Sequence, residues 1–132
     1  MDYAAATMAT YLESREPGTC RRAICRGGIL IGAVCIRHPW LRGPYLELLA
    51  VLPGHQGAGI GAAILDWMAA EVTGPHIRPA PSGGGANSLW VCTSTFNSRA
   101  LAFYTAHGFE VVGELDGLVA PGFSEILLRK RL

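Results

Sequence analysis

Six consecutive residues, Gln56-Gly57-Ala58-Gly59-Ile60-Gly61, carry the densest chemical signal in the sequence. They stand between an apolar run, Tyr45 to Val51, and a run with helical spacing, Ile60 to Val72. A helix N-terminus offers unpaired N–H donors and a partial positive charge. Glycine lets a bulky anion come close to the backbone. The combination suits a phosphate cradle; it equally suits a glycine-rich turn that only connects two elements. Glu47 is the sole charge in its apolar run. An unpaired buried carboxylate is costly, so Glu47 either alternates out to solvent or serves as a proton acceptor, directly or through water. Glu125, ahead of another apolar run, is either an exposed strand residue or part of a pocket wall. His55 either touches phosphate or is a solvated turn residue. None of the four cysteines, Cys20, Cys25, Cys35 and Cys92, forms a C-x-x-C pair, and no His or Cys lies at zinc-finger spacing. No metal is expected.

The elements that hold these residues can be read from periodicity and punctuation. Tyr3 to Glu16 is built from good helix formers, with Met8, Tyr11 and Leu12 on one face, and Pro17-Gly18 ends it. Thr19 to Arg26 reads as a strand, Gly27-Gly28 as a hairpin turn, and Ile29 to Arg37 as a buried strand. Gly32 inside that strand predicts a bulge or a close backbone contact. His38 to Pro44 reads as a loop by its prolines and glycine. Tyr45 to Val51 is the next strand, stopped by Pro53-Gly54. In the helix from Ile60, the residues Ile60, Ala63, Ile64, Trp67, Met68 and Val72 form one apolar face. The Pro/Gly/Ser-rich segment 74–87 predicts a long surface loop, either substrate-gating or a tolerated insertion. Ser88 to Ser94 is a buried strand. Asn97 is an N-cap for a helix from Ser98 to His107, and Gly108 its stop. Phe109 to Leu115 and Ser124 to Arg131 complete the strands. The alternation of strands and helices predicts one α/β domain over residues 1–132. A dinucleotide-binding fold fits poorly, because the glycines fall at 57, 59 and 61 rather than in the G-x-G-x-x-G spacing.

Composition narrows the class. The chain has 132 residues, half of them hydrophobic and 16% charged, which suits a domain with a real core and not a disordered one. A net charge of +1 gives no broad electrostatic grip on nucleic acid. The longest apolar run, Ile29 to Ile36, is too short to cross a bilayer, and Met1 to Thr19 lacks the basic start and apolar centre of a signal peptide. Cys35 and Cys92 sit in apolar runs as small hydrophobes. The expectation is a cytoplasmic protein with no nucleic-acid or membrane partner.

The stretch from Val51-Leu52-Pro53-Gly54-His55-Gln56 through Gly57-Ala58-Gly59-Ile60-Gly61 resembles the acetyl-CoA motif V-x-P-x-x-[RQ]-x-x-G-x-[GA] of the GNAT superfamily of N-acetyltransferases. A second stretch, Asn97-Ser98-Arg99-Ala100-Leu101-Ala102-Phe103-Tyr104 to Gly108-Phe109, is similar to the family's N-x-x-A-x-x-F-Y-x-x-x-G-F segment. The two occur in the family's order, and the resemblance runs from about Ile29 to the C-terminus. It implies a mixed, largely antiparallel sheet flanked by helices and splayed open between the strands Tyr45–Val51 and Ser88–Ser94. Acyl-CoA would lie in that opening. The backbone of Leu49, Ala50 and Val51 would pair with the pantetheine arm, and the N–H groups of Gln56, Gly57, Ala58, Gly59, Ile60 and Gly61 would take the pyrophosphate. Asn97 would contact the cofactor arm, and Tyr104 would point at the thioester sulfur, although by residue type it could equally be a core aromatic.

These residue types suit acyl transfer. A lysine-like amine has a reference pKa of ~10.4 and must lose its proton to attack. A departing thiolate needs a proton, and a neutral tyrosine with pKa ~10 can supply it. The resemblance therefore implies an N-acetyltransferase that moves an acetyl group from acetyl-CoA directly to a primary amine of a small molecule or peptide. Tyr104 would be the acid, and Glu47 is the candidate base. The alternative is a GNAT-like module that binds acyl-CoA without turnover. Family members usually carry a further strand and helix before the hairpin, elements that shape the acceptor side. A second subunit, as in a homodimer, is one way to complete that wall.

Overall fold

The computed structural model describes residues 3–13, 18–41, 43–57, 59–72 and 87–132. The chain opens with helix α1 (Tyr3–Glu13); residues 14–16 of the expected span lie outside those described. Strands β1 (Thr19–Arg26) and β2 (Ile29–Trp40) follow, joined at Gly27 and Gly28. The φ angles of those glycines, 58° and 80°, are left-handed, as a two-residue turn between twisted antiparallel strands requires.

β2 runs through His38-Pro39-Trp40, where the sequence reading places a loop. Aromatic packing overrides the proline there. Trp40 pairs with Gly43, its ring stacks on Tyr45 at 4.9 Å, and it meets Trp90 edge-on at 5.2 Å. The ladder shifts register between Arg37 and Trp40, which accommodates a proline without an N–H. The connection shrinks to residues 41 and 42, and Leu41 takes a φ of 31° to make so short a turn.

Strand β3 (Gly43–Val51), helix α2 (Ile60–Val72), strand β4 (Ser88–Ser94), helix α3 (Ser98–Ala106) and strands β5 (Glu110–Asp116) and β6 (Ser124–Arg131) complete the chain. The expected surface loop lies outside the described residues except for Asn87. The sheet order is β1-β2-β3-β4-β6-β5. Only β3 and β4 are parallel; the other neighbours are antiparallel. A parallel pair needs a crossover, and α2 lies within it. This is the mixed α/β sheet expected, with six strands and three helices among the described residues.

One face of the sheet presents Val34, Ile36, Leu46, Leu89, Val91 and Leu128 to Leu65 and Met68 of α2 and Tyr104 of α3. α1 packs against β1 and β2, and Ala33 and Cys35, which alternate to the opposite face, are buried too. Gly32 has both features expected of it. The β1–β2 ladder shifts beside it, leaving Ile31 unopposed, and a Cβ at Gly32 would sit 2.5 Å from the Ala50 carbonyl oxygen.

Candidate active site

The site starts with an irregularity in β3. Across the β2–β3 ladder Ile36 faces Leu46, but Cys35 faces Leu48. Glu47 is therefore an extra residue, a β-bulge. A bulge bends its strand and raises the local twist. Its first consequence is on side-chain direction. Leu46 and Leu49, three apart, both join the core, where strict alternation would separate them. Its second is on the neighbouring strand. β3 and β4 pair at Tyr45–Trp90 and Leu46–Val91 and, among the described residues, nowhere beyond. From Glu47 on, the two parallel strands part and leave backbone groups of β3 and β4 without ladder partners.

Beyond this opening, β3 runs into the glycine turn. Gly54, Gly57 and Gly59 have φ of 89°, 80° and 76°, and a Cβ at any of them would meet no atom within 4 Å. The turn is thus left-handed and open, a concave backbone at the start of α2 of the kind that receives anions. The Gln56 side-chain amide donates to the Val51 carbonyl at 3.1 Å, closing the turn onto the strand end. Gly61 has a different reason. A Cβ there would lie 2.9 Å from Phe103 Cζ, so this glycine lets the first turn of α2 approach α3. Ala58 lies outside the described residues.

α3 enters from the other bank of the opening. Asn97 caps it: the Asn97 side-chain oxygen accepts from the Ala100 N–H at 3.1 Å. That bond uses the oxygen and leaves the amide NH2, on an exposed residue, as the group able to meet a ligand. Tyr104 is buried, its ring edge-on to Phe103 at 5.3 Å and to Phe109 at 5.5 Å. Burial pushes its phenol above the usual value, which keeps it protonated.

Glu47 is held on both oxygens. Arg37 Nη2 donates to Oε1 at 2.8 Å and the Cys35 thiol donates to Oε2 at 3.2 Å. The Arg37 hydrogen bond holds the carboxyl below the usual range against an opposing push from burial, with Cys35 and the charge of Arg21 adding to the lowering. The sequence reading missed both partners. They are two residues apart on β2, opposite the bulge, and only the register shift brings both within reach.

A further group flanks the opening on the Glu47 side. The Tyr45 hydroxyl donates to the Cys92 sulfur; burial, that bond and the negative charges of Glu47 and Glu125 drive the Tyr45 pKa far up. Burial raises the Cys92 thiol as well, so it stays a thiol. Ser94 Oγ donates to Glu125 Oε1 at 3.0 Å, across the β4–β6 pair that sets Ser94 opposite Glu125. Cys92, read from the sequence as a simple buried hydrophobe, is half-buried and hydrogen-bonded. The legible signal was spacing: Tyr45 and Glu47, and Cys92 and Ser94, are pairs two apart on adjoining strands. His55 stands at the foot of the glycine turn with Nδ1 buried and, among the described residues, unpartnered. A cavity of about 330 Å³ lies between β1 and α2, lined by Arg22, Ile24, Val34, Ile64 and Trp67 among others; no candidate site residue lines it. No helix among the described residues is long and apolar enough to cross a membrane.

The arrangement so assembled is an opened parallel pair, an anion-receptive turn beyond it and a fixed carboxylate at the bulge, while Tyr104 packs into the core with Phe103 and Phe109. Residues 19–111 match the family model described as an acetyltransferase (GNAT) domain. No curated protein sequence matches the chain. Among solved structures, a GNAT family acetyltransferase from Elizabethkingia anophelis with acetyl-CoA bound is similar at 15% identity and a TM-score of 0.71, covering 100% of this chain and 84% of that one. The ribosomal-protein-S18-alanine N-acetyltransferase from Escherichia coli is similar at 18% identity and a TM-score of 0.70, covering 93% of this chain and 75% of that one. An acetyltransferase from Thermus thermophilus is similar at 23% identity and a TM-score of 0.68, covering 96% of this chain and 71% of that one.

Proposed function

This chain belongs to the GNAT family of acetyltransferases, and from that premise we propose that it transfers an acetyl group from acetyl-CoA directly to a primary amine of a small molecule or peptide. The observation that carries the reading is the bulge at Glu47, which parts β3 from β4 immediately before the left-handed glycine turn. The residues present fit the cosubstrate. An open turn with left-handed glycines and no side chain over it suits a pyrophosphate. Leu49, Ala50 and Val51 pair with β2 on one edge; the other edge of this segment, without a β4 partner among the described residues, suits an extended amide-bearing arm, much as a peptide adds to a sheet edge. Since the Val51 carbonyl already accepts from Gln56 and the Ala50 carbonyl faces β2, the groups of Leu49 carry more of that pairing. Acetyl-CoA, when bound, supplies the activated acyl group.

The chain's own residues supply binding and proton handling. The N–H groups of Gln56, Gly57, Ala58, Gly59, Ile60 and Gly61 receive the pyrophosphate, and the Asn97 amide contacts the cofactor arm. Tyr104, kept neutral by burial, gives its hydroxyl proton to the leaving sulfur. Glu47 accepts the proton of the attacking amine. A carboxylate held below its usual value is a weak base, so a bridging water, sharing the proton along the path, suits it better than direct abstraction.

A screen of CoA release over amines, polyamines, amino acids and peptides tests the activity. Tyr104→Phe tests the acid: kcat is expected to fall ~10²–10⁴-fold, the usual worth of a general acid, with acetyl-CoA affinity nearly intact. Unchanged turnover in that variant removes Tyr104 from the role. Thermal stabilisation by acetyl-CoA with no CoA release from any amine identifies a binding module instead.

A further inference from the structure

Two carboxylates flank the opening, and their charges are matched very differently. Glu47, on the β3 bank, is ion-paired to Arg37 at 2.8 Å. Glu125 reaches the β4 bank from β6. The β4–β6 register sets Glu125 opposite Ser94, on the face of β4 that also carries Cys92. Among the described residues its carboxylate has one side-chain partner, the neutral hydroxyl of Ser94 at 3.0 Å. That bond fixes one oxygen and leaves the other, with the negative charge, for a ligand. The nearest cation along β6 on the same alternation, Arg129, is committed elsewhere. Its Nε donates to the buried Ser88 hydroxyl at 2.7 Å, and its guanidinium lies over the Trp90 ring at 5.6 Å from the centroid. Glu125 is half-buried, on a strand whose pairing with β4 sets it opposite Ser94. A charge so placed is less screened than one on an open surface and is better complemented by an opposite charge on a bound molecule.

We propose that Glu125 determines acceptor specificity: the preferred acceptor carries a second positive charge besides the amine that is acetylated, and Glu125, steadied by Ser94, receives that charge. The inference rests on the acetyltransferase reading above and adds an acceptor class, amines with a distal cation. It also divides the labour at the opening. Glu47, already neutralised by Arg37, is left for proton transfer, while Glu125 reads the substrate.

The test uses three amines that share a five-carbon chain. Cadaverine ends in a second cation, pentylamine in a methyl group and 5-aminopentanoate in a carboxylate. CoA release gives kcat/KM for each with the wild-type chain, Glu125→Gln and Glu125→Lys; stabilisation by acetyl-CoA reports that each variant is folded. Wild type is expected to favour cadaverine over pentylamine by ~10-fold or more, the scale of a partly desolvated ion pair, beyond the factor of about two that its two equivalent amines allow. Glu125→Gln is expected to bring that ratio down to about two, and Glu125→Lys to shift preference to 5-aminopentanoate. A ratio of about two in wild type, or one that survives in Glu125→Gln, overturns the specificity role while leaving the acetyltransferase standing. No CoA release from any of the three amines, with release from an amino acid or peptide in the wider screen, overturns the acceptor class alone; no release anywhere in that screen overturns both.

Discussion

Gly43 sits where β3 joins β4, just before the two strands part, and its replacement by alanine isolates that junction. A Cβ at Gly43 would lie 1.6 Å from the Ser88 carbonyl oxygen and 2.7 Å from the Ser88 carbonyl carbon. Both are backbone atoms, so no rotamer change relieves the clash; β3 and β4 must separate by more than about 1 Å near the point where Tyr45 faces Trp90. Overpacking of this kind typically costs ~1–3 kcal/mol, and a contact this short against backbone belongs at or above the top of that range, at about 3 kcal/mol. With an unfolding entropy of ~2.1 cal/mol/K per residue, the 132-residue chain has an entropy of ~0.28 kcal/mol/K, so Tm should fall by about 10 °C. Thermal and urea melts measure the loss, and the same melts with acetyl-CoA show whether the cleft survives. Gly113→Ala is the control, because nothing lies within 4 Å of its added Cβ; it is expected to stay within about 0.5 kcal/mol. A Gly43→Ala protein melting within about 2–3 °C of wild type, well short of the expected fall, would refute the claim that backbone contact at this glycine sets the β3–β4 junction.

Three other outcomes are expected. Asn97→Ala removes the bond to the Ala100 N–H and should cost about 1 kcal/mol, read as a drop in Tm of ~3–4 °C. Gly59→Ala forces a side chain into φ of 76° and should cost ~1–2 kcal/mol or flatten the turn; isothermal titration should show acetyl-CoA binding weakened at least ~10-fold, and unchanged affinity would exclude this turn as the pyrophosphate site. Arg37→Ala removes the chief cause of the lowered Glu47 pKa. A depressed carboxylate stabilises the fold above its ordinary pKa and loses that contribution as pH falls through the lowered value. The variant should therefore be less stable at neutral pH by at most ~1 kcal/mol, as the pair is partly exposed, and should converge with wild type in acid. If Glu47 accepts the amine proton, the acid limb of kcat/KM should also move to higher pH in Arg37→Ala, and an unmoved limb argues against that role.

Local residue chemistry wrote much of this protein into its sequence. Thr19–Arg26, Ile60–Val72, Ser88–Ser94 and Ser124–Arg131 form the elements their patterns predict, because apolar periodicity, caps and turn glycines act over a few neighbours. The hairpin at Gly27-Gly28, the Asn97 cap and the Gly108 stop are legible for the same reason. The motifs around Gln56–Gly61 and Asn97–Phe109 were enough to point to the family. What the sequence did not contain was anything set by strand register. The span of β2 through Pro39 was decided by Trp40 packing on Tyr45 and Trp90, a contact between three strands. The bulge at Glu47 was decided by how β3 lies on β2, and it alone gives Glu47 the partners Arg37 and Cys35. Gly61, which reads as one more phosphate glycine, is explained by Phe103 on the next helix, across an intervening strand. Glu125 was an undecided charge until the pairing of β6 with β4 set it opposite Ser94. A glycine turn announces itself locally, whereas the parting of two strands and the charges that line it depend on one-residue shifts between segments far apart in the chain, and such a shift turns a side chain to the other face without altering any local pattern.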